Sequence, residues 1–285
     1  MLAYRHAFHA GNHADVLKHL VLAEVLQYMG SKDKPYTLID THAGAGGYSL
    51  EGRYAQQGGE FRDGIERLWA ARALPAPLAD YVALVRRFNG GGALEQYPGS
   101  PAIAQMLLRP DDRLSLYELH PTELRILDAF LGRRPHTKVH MSDGFDALAR
   151  ELPPPSRRGV VLIDPSYELK SDYAKVVAAL RTALQRFAQG SVLVWHPQLQ
   201  LVEAAGLPKR LAGAAAPATK GWLHATLTVG VPRADGFGLF GSGMFIVNPP
   251  FTLHERLTQA LPLLVELLGQ HDGARYTLER GGTTG

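Results

Sequence analysis

Val160-Val161-Leu162-Ile163-Asp164-Pro165-Ser166-Tyr167 joins an unbroken apolar run to a carboxylate, a proline and an aromatic ring. A short apolar run closed by a turn residue is the pattern of a strand buried on both faces, so Asp164 falls at its carboxyl end. In open α/β sheets, ligands bind in the crevice beyond those ends. An Asp-Pro-x-aromatic placed there can face a flat substrate that carries an amine.

The surrounding chain repeats the theme. Asn12 can cap a helix whose apolar positions Val16, Leu20, Val21, Val25 and Leu26 recur at helical spacing until Gly30 stops it. Tyr36 to Asp40 reads as the first strand. Arg113 to Glu118, Thr137 to Met141, Gly159 to Ile163 and Ser191 to Trp195 follow as short strands separated by helical patterns, which predicts a parallel sheet covered on both faces. Ser100-Pro101 marks a helix start with a serine cap. Trp222 to Val229 and Gly243 to Val247, joined through Pro232-Arg233-Ala234-Asp235-Gly236, read as a final antiparallel pair, before a closing helix from Leu253 to Leu268. The expected fold is α/β and Rossmann-like, with a seven-stranded, mostly parallel sheet whose last pair is antiparallel. Residues 1–48 and 97–280 form the main domain, 49–96 a small helical insertion, and 281–285 a disordered tail.

Composition narrows the function classes. The chain has 285 residues, is 46% hydrophobic and carries a formal net charge of +3 with 12 histidines, which suits a polyanionic partner without demanding one. It contains no cysteine, which excludes disulfides, thiolate metal sites and cysteine nucleophiles. The first residues lack the apolar core of a signal peptide, and no segment reaches the ~18 apolar residues of a membrane span, so a cytoplasmic protein without membrane contact is expected.

Several residues stand where chemistry is expected. Asp40-Thr41-His42-Ala43-Gly44-Ala45-Gly46 follows the first strand, and its glycines let backbone approach a ligand; as a dinucleotide fingerprint it fails, because the third small residue and the acidic residue lack the right unit. Glu118 ends the second strand, where a carboxylate can accept both hydroxyls of a ribose, or simply be solvated. Asp143-Gly144 ends the third, where Asp143 can hold an adenine amino group, cap the next helix, or both.

Asp164 poses a sharper problem. An exocyclic amine on a purine is a poor nucleophile because its lone pair is delocalised into the ring. If the Asp164 carboxylate and the Pro165 carbonyl each accept one amine hydrogen, the nitrogen is drawn toward sp³ geometry and its lone pair is freed. Tyr167 can then stack on the base. His6, His9, His13 and His19 crowd the first twenty residues, but no acidic residue stands at metalloprotease spacing, and no metal is expected. They read instead as a polar arm in which Tyr4 and His6 reach a base while Lys18 and His19 reach anionic groups.

Asp164-Pro165-Ser166-Tyr167 resembles the Asp-Pro-Pro-Tyr signature of amino-group methyltransferases, with Ser166 in place of the second proline. The segment Tyr4-Arg5-His6-Ala7-Phe8-His9-Ala10-Gly11-Asn12-His13-Ala14-Asp15-Val16-Leu17-Lys18-His19 resembles the opening of the RlmJ family. Asp40 to Gly46, Tyr97-Pro98-Gly99-Ser100-Pro101, Glu118-Leu119-His120-Pro121, Asp143-Gly144-Phe145 and Ser156-Arg157-Arg158-Gly159 match in order. The resemblance implies a class I methyltransferase that uses S-adenosylmethionine, releases S-adenosylhomocysteine, and methylates the N6 amine of adenine 2030 in 23S ribosomal RNA. It further implies that His19, His42, Ser100, Glu118, Asp143, Gly144 and Asp164 line the cofactor site, that Asp164 is catalytic and that Tyr4 meets the target nucleotide. Arg53, Arg62, Arg133, Arg134, Arg157, Arg158 and Lys170 are candidates for phosphate contacts. A monomer is favoured. Two rivals stay open: a DNA adenine-N6 methyltransferase, and an RNA-binding protein that kept the fold but lost catalysis through Ser166.

Overall fold

A computed structural model describes residues 5–232 and 238–282. In chain order the elements are α1 (His13–Gly30), β1 (Thr37–Asp40), β2 (Gly47–Ser49), α2 (Arg53–Gly58), α3 (Ile65–Ala70), α4 (Ala76–Phe88), β3 (Gln96–Pro98), α5 (Ser100–Leu107), β4 (Arg113–Tyr117), α6 (Pro121–Leu131), β5 (Thr137–His140), α7 (Gly144–Glu151), β6 (Gly159–Ile163), α8 (Lys170–Arg186), β7 (Ser191–Gln198), α9 (Val202–Ala214), β8 (Trp222–Thr228), β9 (Gly241–Val247), α10 (Leu253–Leu268) and β10 (Arg275–Gly281). Among the described residues no helix is long and apolar enough to cross a membrane.

The main sheet runs β10-β8-β9-β7-β6-β1-β4-β5. Strands β5, β4, β1, β6 and β7 are parallel, and β9, β8 and β10 pair antiparallel at one side. Strand order reverses at β1: the chain leaves it toward β4 and β5, then returns to β6 on its other flank. The carboxyl ends of β1, β4 and β6 therefore open onto a crevice that the connections cannot cover, which is where such sheets bind ligands.

The sheet has eight strands rather than the seven expected. The extra one, β10, pairs with β8 along its length. It is hard to see in sequence because only Leu278 is both apolar and partly buried; the other side chains mostly face solvent, so period-two alternation is lost. Gly281, expected in the tail, closes this strand opposite Trp222. Residues 283–285, and Arg233 to Gly236 of the expected β8–β9 connection, lie outside the described residues. Ser100 is also not a helix cap: Gly99 takes that position and Ser100 is the first helical residue.

Helix α1 is enclosed on all sides. Val16, Leu17, Leu20, Val21, Leu22, Val25 and Leu26 are fully buried, each contributing roughly 1.5–3 kcal/mol, and so are the polar Asp15, Lys18 and His19. Its start is fixed as expected, with Asn12 Oδ1 accepting from the Ala14 and Asp15 amides. The segment between β1 and α5 supplies much of the enclosure. It leaves and returns through an antiparallel ribbon of β2 and β3, and its Phe61, Ile65, Leu68, Tyr81 and Val85 join the same core as α1. Contact at its tip is backbone to backbone: the Ile65 amide donates to the Gly11 carbonyl at 2.8 Å, and a Cβ on Gly64 would lie 2.0 Å from that oxygen.

A second buried polar feature lies within the sheet. His196 on β7 and His224 on β8 flank β9 and meet at 2.9 Å, Nε2 to Nε2, across Gly243. A Cβ there would come within 2.4 Å of the His196 ring. Burial lowers His196 to about 3, with His224 adding to the effect, and lowers His224 to about 4. Both rings are therefore neutral in the folded protein, whereas unfolded imidazoles titrate near 6.5. Their contribution to stability is complete above about pH 6.5 and is lost as pH falls toward 4. Replacing His224 with Gln should flatten the fall of urea-unfolding free energy between pH 6 and 4 by about 1.4 kcal/mol per pH unit. An unchanged slope would show that His224 titrates normally in the fold.

Candidate active site

The crevice holds a cavity of about 730 Å³. Of the expected site residues, His6, Lys18, His19, His42, Ser100, Glu118, Asp143, Gly144, Asp164 and Pro165 all line it. Tyr4 lies outside the described residues. Tyr167 does not line the cavity, for reasons given below.

Asp164 leaves the carboxyl end of β6 and its Oδ2 accepts from Lys18 Nζ at 2.6 Å. Lys18 also pairs with Asp15 Oδ1 at 2.8 Å, one helical turn earlier, while Asp15 Oδ2 accepts from His6 Nε2 at 2.8 Å and from the Gly11 amide at 3.0 Å. A chain of charge thus runs from the amino-terminal arm through α1 to the end of β6. Burial works against the Asp15 carboxylate, but His6 and Lys18 outweigh it and hold the carboxyl well below its ordinary range. Burial likewise works against the Lys18 ammonium, and Asp15 and Asp164 overcome it, leaving Lys18 above its ordinary value. At Asp164 burial wins and the carboxyl is raised, with Lys18 opposing.

The loop after β1 is tied down from several directions. Asp40 accepts from Ser100 Oγ at 2.6 Å and from the His42 amide at 3.2 Å; burial nevertheless raises it to about 6. Thr41 donates its only hydroxyl proton to the Leu162 carbonyl, so the 2.8 Å contact with His42 must come from Nδ1–H of the imidazole. Burial holds this ring neutral, at about 4. Glu118 accepts from the Gly44 amide at 2.8 Å and the His120 amide at 2.7 Å, so the carboxylate that faces the cavity also shapes the glycine loop. Asp143 caps α7 by accepting from the Phe145 amide at 2.8 Å. Gly144 is needed on packing grounds, since a Cβ would lie 2.1 Å from the Thr41 carbonyl oxygen.

Tyr167 corrects the expectation that its ring stacks on a base. Its backbone is left-handed, with φ of 54°, and this turns the side chain into the core. The hydroxyl donates to the Trp195 carbonyl at 2.6 Å, and the ring packs 4.8 Å from Tyr173 and 5.8 Å from Trp195. Arg157 and Arg158 also fall elsewhere than a phosphate contact at the site would require. They precede β6, at the opposite end of the sheet, where Arg158 donates to the Met29 and Lys34 carbonyls.

Sequence reading gave no role to Asp15, Tyr97 or Trp195. Asp15 had a signal, the i, i+3 spacing to Lys18 on a largely apolar helix. Tyr97 had none, because its partner His19 is 78 positions distant.

A reversed α/β sheet whose central strand ends supply a glycine loop, a ribose-competent carboxylate and an Asp-Pro turn defines a class I methyltransferase. Residues 33–279 match the family model described as ribosomal RNA large subunit methyltransferase D, RlmJ. The chain belongs to this family, whose class draws the methyl group from S-adenosylmethionine. It is 43% identical to the ribosomal RNA large subunit methyltransferase J of Escherichia coli K12, over 93% of each chain, and 41% identical to that of Haemophilus influenzae, over 98% of each. The crystal structure of a Legionella pneumophila protein superposes with a TM-score of 0.87 at 33% identity, covering 96% of this chain and 98% of that one.

The charge chain makes a stability prediction. Lys18→Met removes the ammonium that contacts both Asp15 and Asp164, which should cost about 3–5 kcal/mol in urea unfolding at neutral pH. Adding Asp164→Asn to that variant should recover part of the loss. A Lys18→Met protein as stable as the parent would show that the carboxylates do not depend on it.

Proposed function

We propose that this enzyme transfers a methyl group from S-adenosylmethionine to the exocyclic N6 amine of an adenine in 23S ribosomal RNA, at the position equivalent to adenine 2030. The observation that carries the reading is the Asp164-Pro165 turn: both residues face the cavity, and the carboxylate is buried against Lys18.

The donor set fits S-adenosylmethionine. Each Glu118 oxygen already takes one amide and retains a lone pair for a ribose hydroxyl. Asp143, Gly144, His42 and Phe145 form the wall suited to an adenine ring, Ser100 lies beside Asp40, and the buried Nε2 of His19 has no partner among the described residues. When bound, S-adenosylmethionine supplies an electrophilic methyl group on a sulfonium.

The remaining chemistry belongs to the chain. Asp164 and the Pro165 carbonyl accept the two amine hydrogens, which localises the nitrogen lone pair. Holding nitrogen and methyl carbon in line at ~3–3.5 Å removes much of the entropic barrier. Trp195 lines the cavity and offers the stacking face that Tyr167 does not, and His6 lines it from the arm; the role assigned to Tyr4 is to meet the target nucleotide. Residues 49–96 serve as a helical insertion within one methyltransferase domain of 1–48 and 97–280, and the enzyme meets its RNA in the cytoplasm as a monomer, without a metal.

Mapping methylated adenines in ribosomal RNA from cells with and without this protein tests the substrate. Loss of one N6-methyladenine in 23S RNA is expected; transfer that prefers duplex DNA over RNA in vitro would overturn the reading. Equal RNA binding with no transfer, restored by Ser166→Pro, would instead favour a binding protein. Asp164→Asn should lower kcat by about 10²–10³ with the circular dichroism unchanged. Because the Asp164 carboxyl is raised by burial and lowered by Lys18, the rate should fall on the acid side as Asp164 takes up a proton. In Lys18→Gln that limb should move to higher pH; an unmoved limb would remove Asp164 from the rate.

A further inference from the structure

His19 on α1 is buried and its Nδ1 lies 2.8 Å from the Tyr97 hydroxyl on β3, which lies 2.7 Å from the Tyr81 hydroxyl on α4. All three side chains are at most 1% exposed. Tyr81 has Tyr97 as its one hydrogen-bond partner among the described residues. The direction of this chain follows from counting protons. Burial pushes both phenols far above their ordinary value and the imidazole far below its own, so two hydroxyl protons and one ring proton are shared along it.

Were His19 to donate from Nδ1 to Tyr97, Tyr97 would have to donate to Tyr81, and the Tyr81 proton would be left buried without an acceptor. An orphaned buried donor costs the full desolvation of that group. In the opposite direction Tyr81 donates to Tyr97 and Tyr97 donates to His19 Nδ1, and the one proton left over is carried by the ring that lines the cavity, where a bound ligand can accept it, rather than by Tyr81, which no ligand reaches. The ring proton then sits on Nε2, since the tautomer of an imidazole is set by the bond its other nitrogen makes. Nε2 is buried, and no protein group accepts from it.

We infer that Tyr97, backed by Tyr81, is a positioning residue that fixes His19 as its Nε2–H tautomer and so presents a neutral donor to an anionic oxygen of the cofactor, the carboxylate of its amino-acid end. The inference rests on the reading of the cavity as the S-adenosylmethionine site. A neutral donor has an advantage in this place. It binds a carboxylate without adding a positive charge beside a sulfonium, as a lysine would. Tyr81 belongs to the helical segment between β1 and α5, so that segment acts on cofactor binding through two hydroxyls although neither tyrosine lines the cavity.

The test is a ¹⁵N spectrum of imidazole-labelled protein together with calorimetric titration of S-adenosylmethionine. The wild type should show His19 protonated at Nε2. Tyr97→Phe keeps the ring and removes the hydroxyl; it should give a mixture of tautomers and weaken the cofactor about tenfold, the weight of one hydrogen bond to a charged group, while kcat at saturation changes less than twofold. Tyr81→Phe should do the same to a smaller degree, and serves if Tyr97→Phe does not fold. A wild-type His19 protonated at Nδ1 would overturn the inference, as would unchanged affinity in both variants. His19→Gln separates the two readings: if it too binds the cofactor normally, the placement of the cofactor is what fails; if it binds weakly, only the relay does.

Discussion

Everything in this molecule depends on burying charge inside a helix that has no solvent face. Helix α1 is packed between the sheet, α5, α10 and the segment carrying α4, so its polar residues cannot be accommodated by turning outward. An isolated ion there would be prohibitively costly, and the solution is a closed set of partners: Asp15 is met by His6, Lys18 and the Gly11 amide, and Lys18 by Asp15 and Asp164. That set also fixes the geometry of the site. Asp164 reaches the cavity already oriented, because one of its oxygens is committed to a lysine that also holds Asp15.

Much of this was legible in the sequence, and for identifiable reasons. The strands that matter for the site are short apolar runs ending in Asp40, Glu118 and Asp164, and each strand-end carboxylate came with a turn residue that marked it. Asn12 starts α1 as its capping chemistry dictates, whereas Gly30 is the last helical residue and Ser31 takes the cap. What escaped was whatever depends on long-range contact. The eighth strand has no hydrophobic alternation, and only pairing with β8 makes it a strand. The sequence position of Tyr167 permits a stacking ring; the left-handed backbone that turns it inward is a property of the folded turn. Ser100 has the composition of a cap, but its hydroxyl is spent on Asp40, 60 residues away.

The helical segment between β1 and α5 shows the same logic at larger scale. Its composition suggests a separable appendage. In the fold it closes α1 on one side, meets the Gly11 backbone at Gly64 with no room for a side chain, and sends Tyr81 toward His19. A change in this segment therefore reaches the reaction centre by packing and by hydrogen bonding at once. The amino-terminal arm is held from the same side, where Glu60 accepts from Asn12 Nδ2 at 2.8 Å and pairs with His9 at 2.9 Å. Contacts thus run without a break from this segment through the arm and α1 to the end of β6.

The strand that was least visible has a role at the rim of the molecule. An open sheet presents unpaired amides and carbonyls at its last strand, and such a strand invites another chain to dock on it. Here that position is taken by β10, where Arg275, Glu279 and Arg280 are all exposed along a strand of seven residues. A second molecule aligning with this border would have to desolvate these three charges to gain its backbone bonds. The strand that contributes least to the hydrophobic core thus guards the sheet against growing from one molecule into the next.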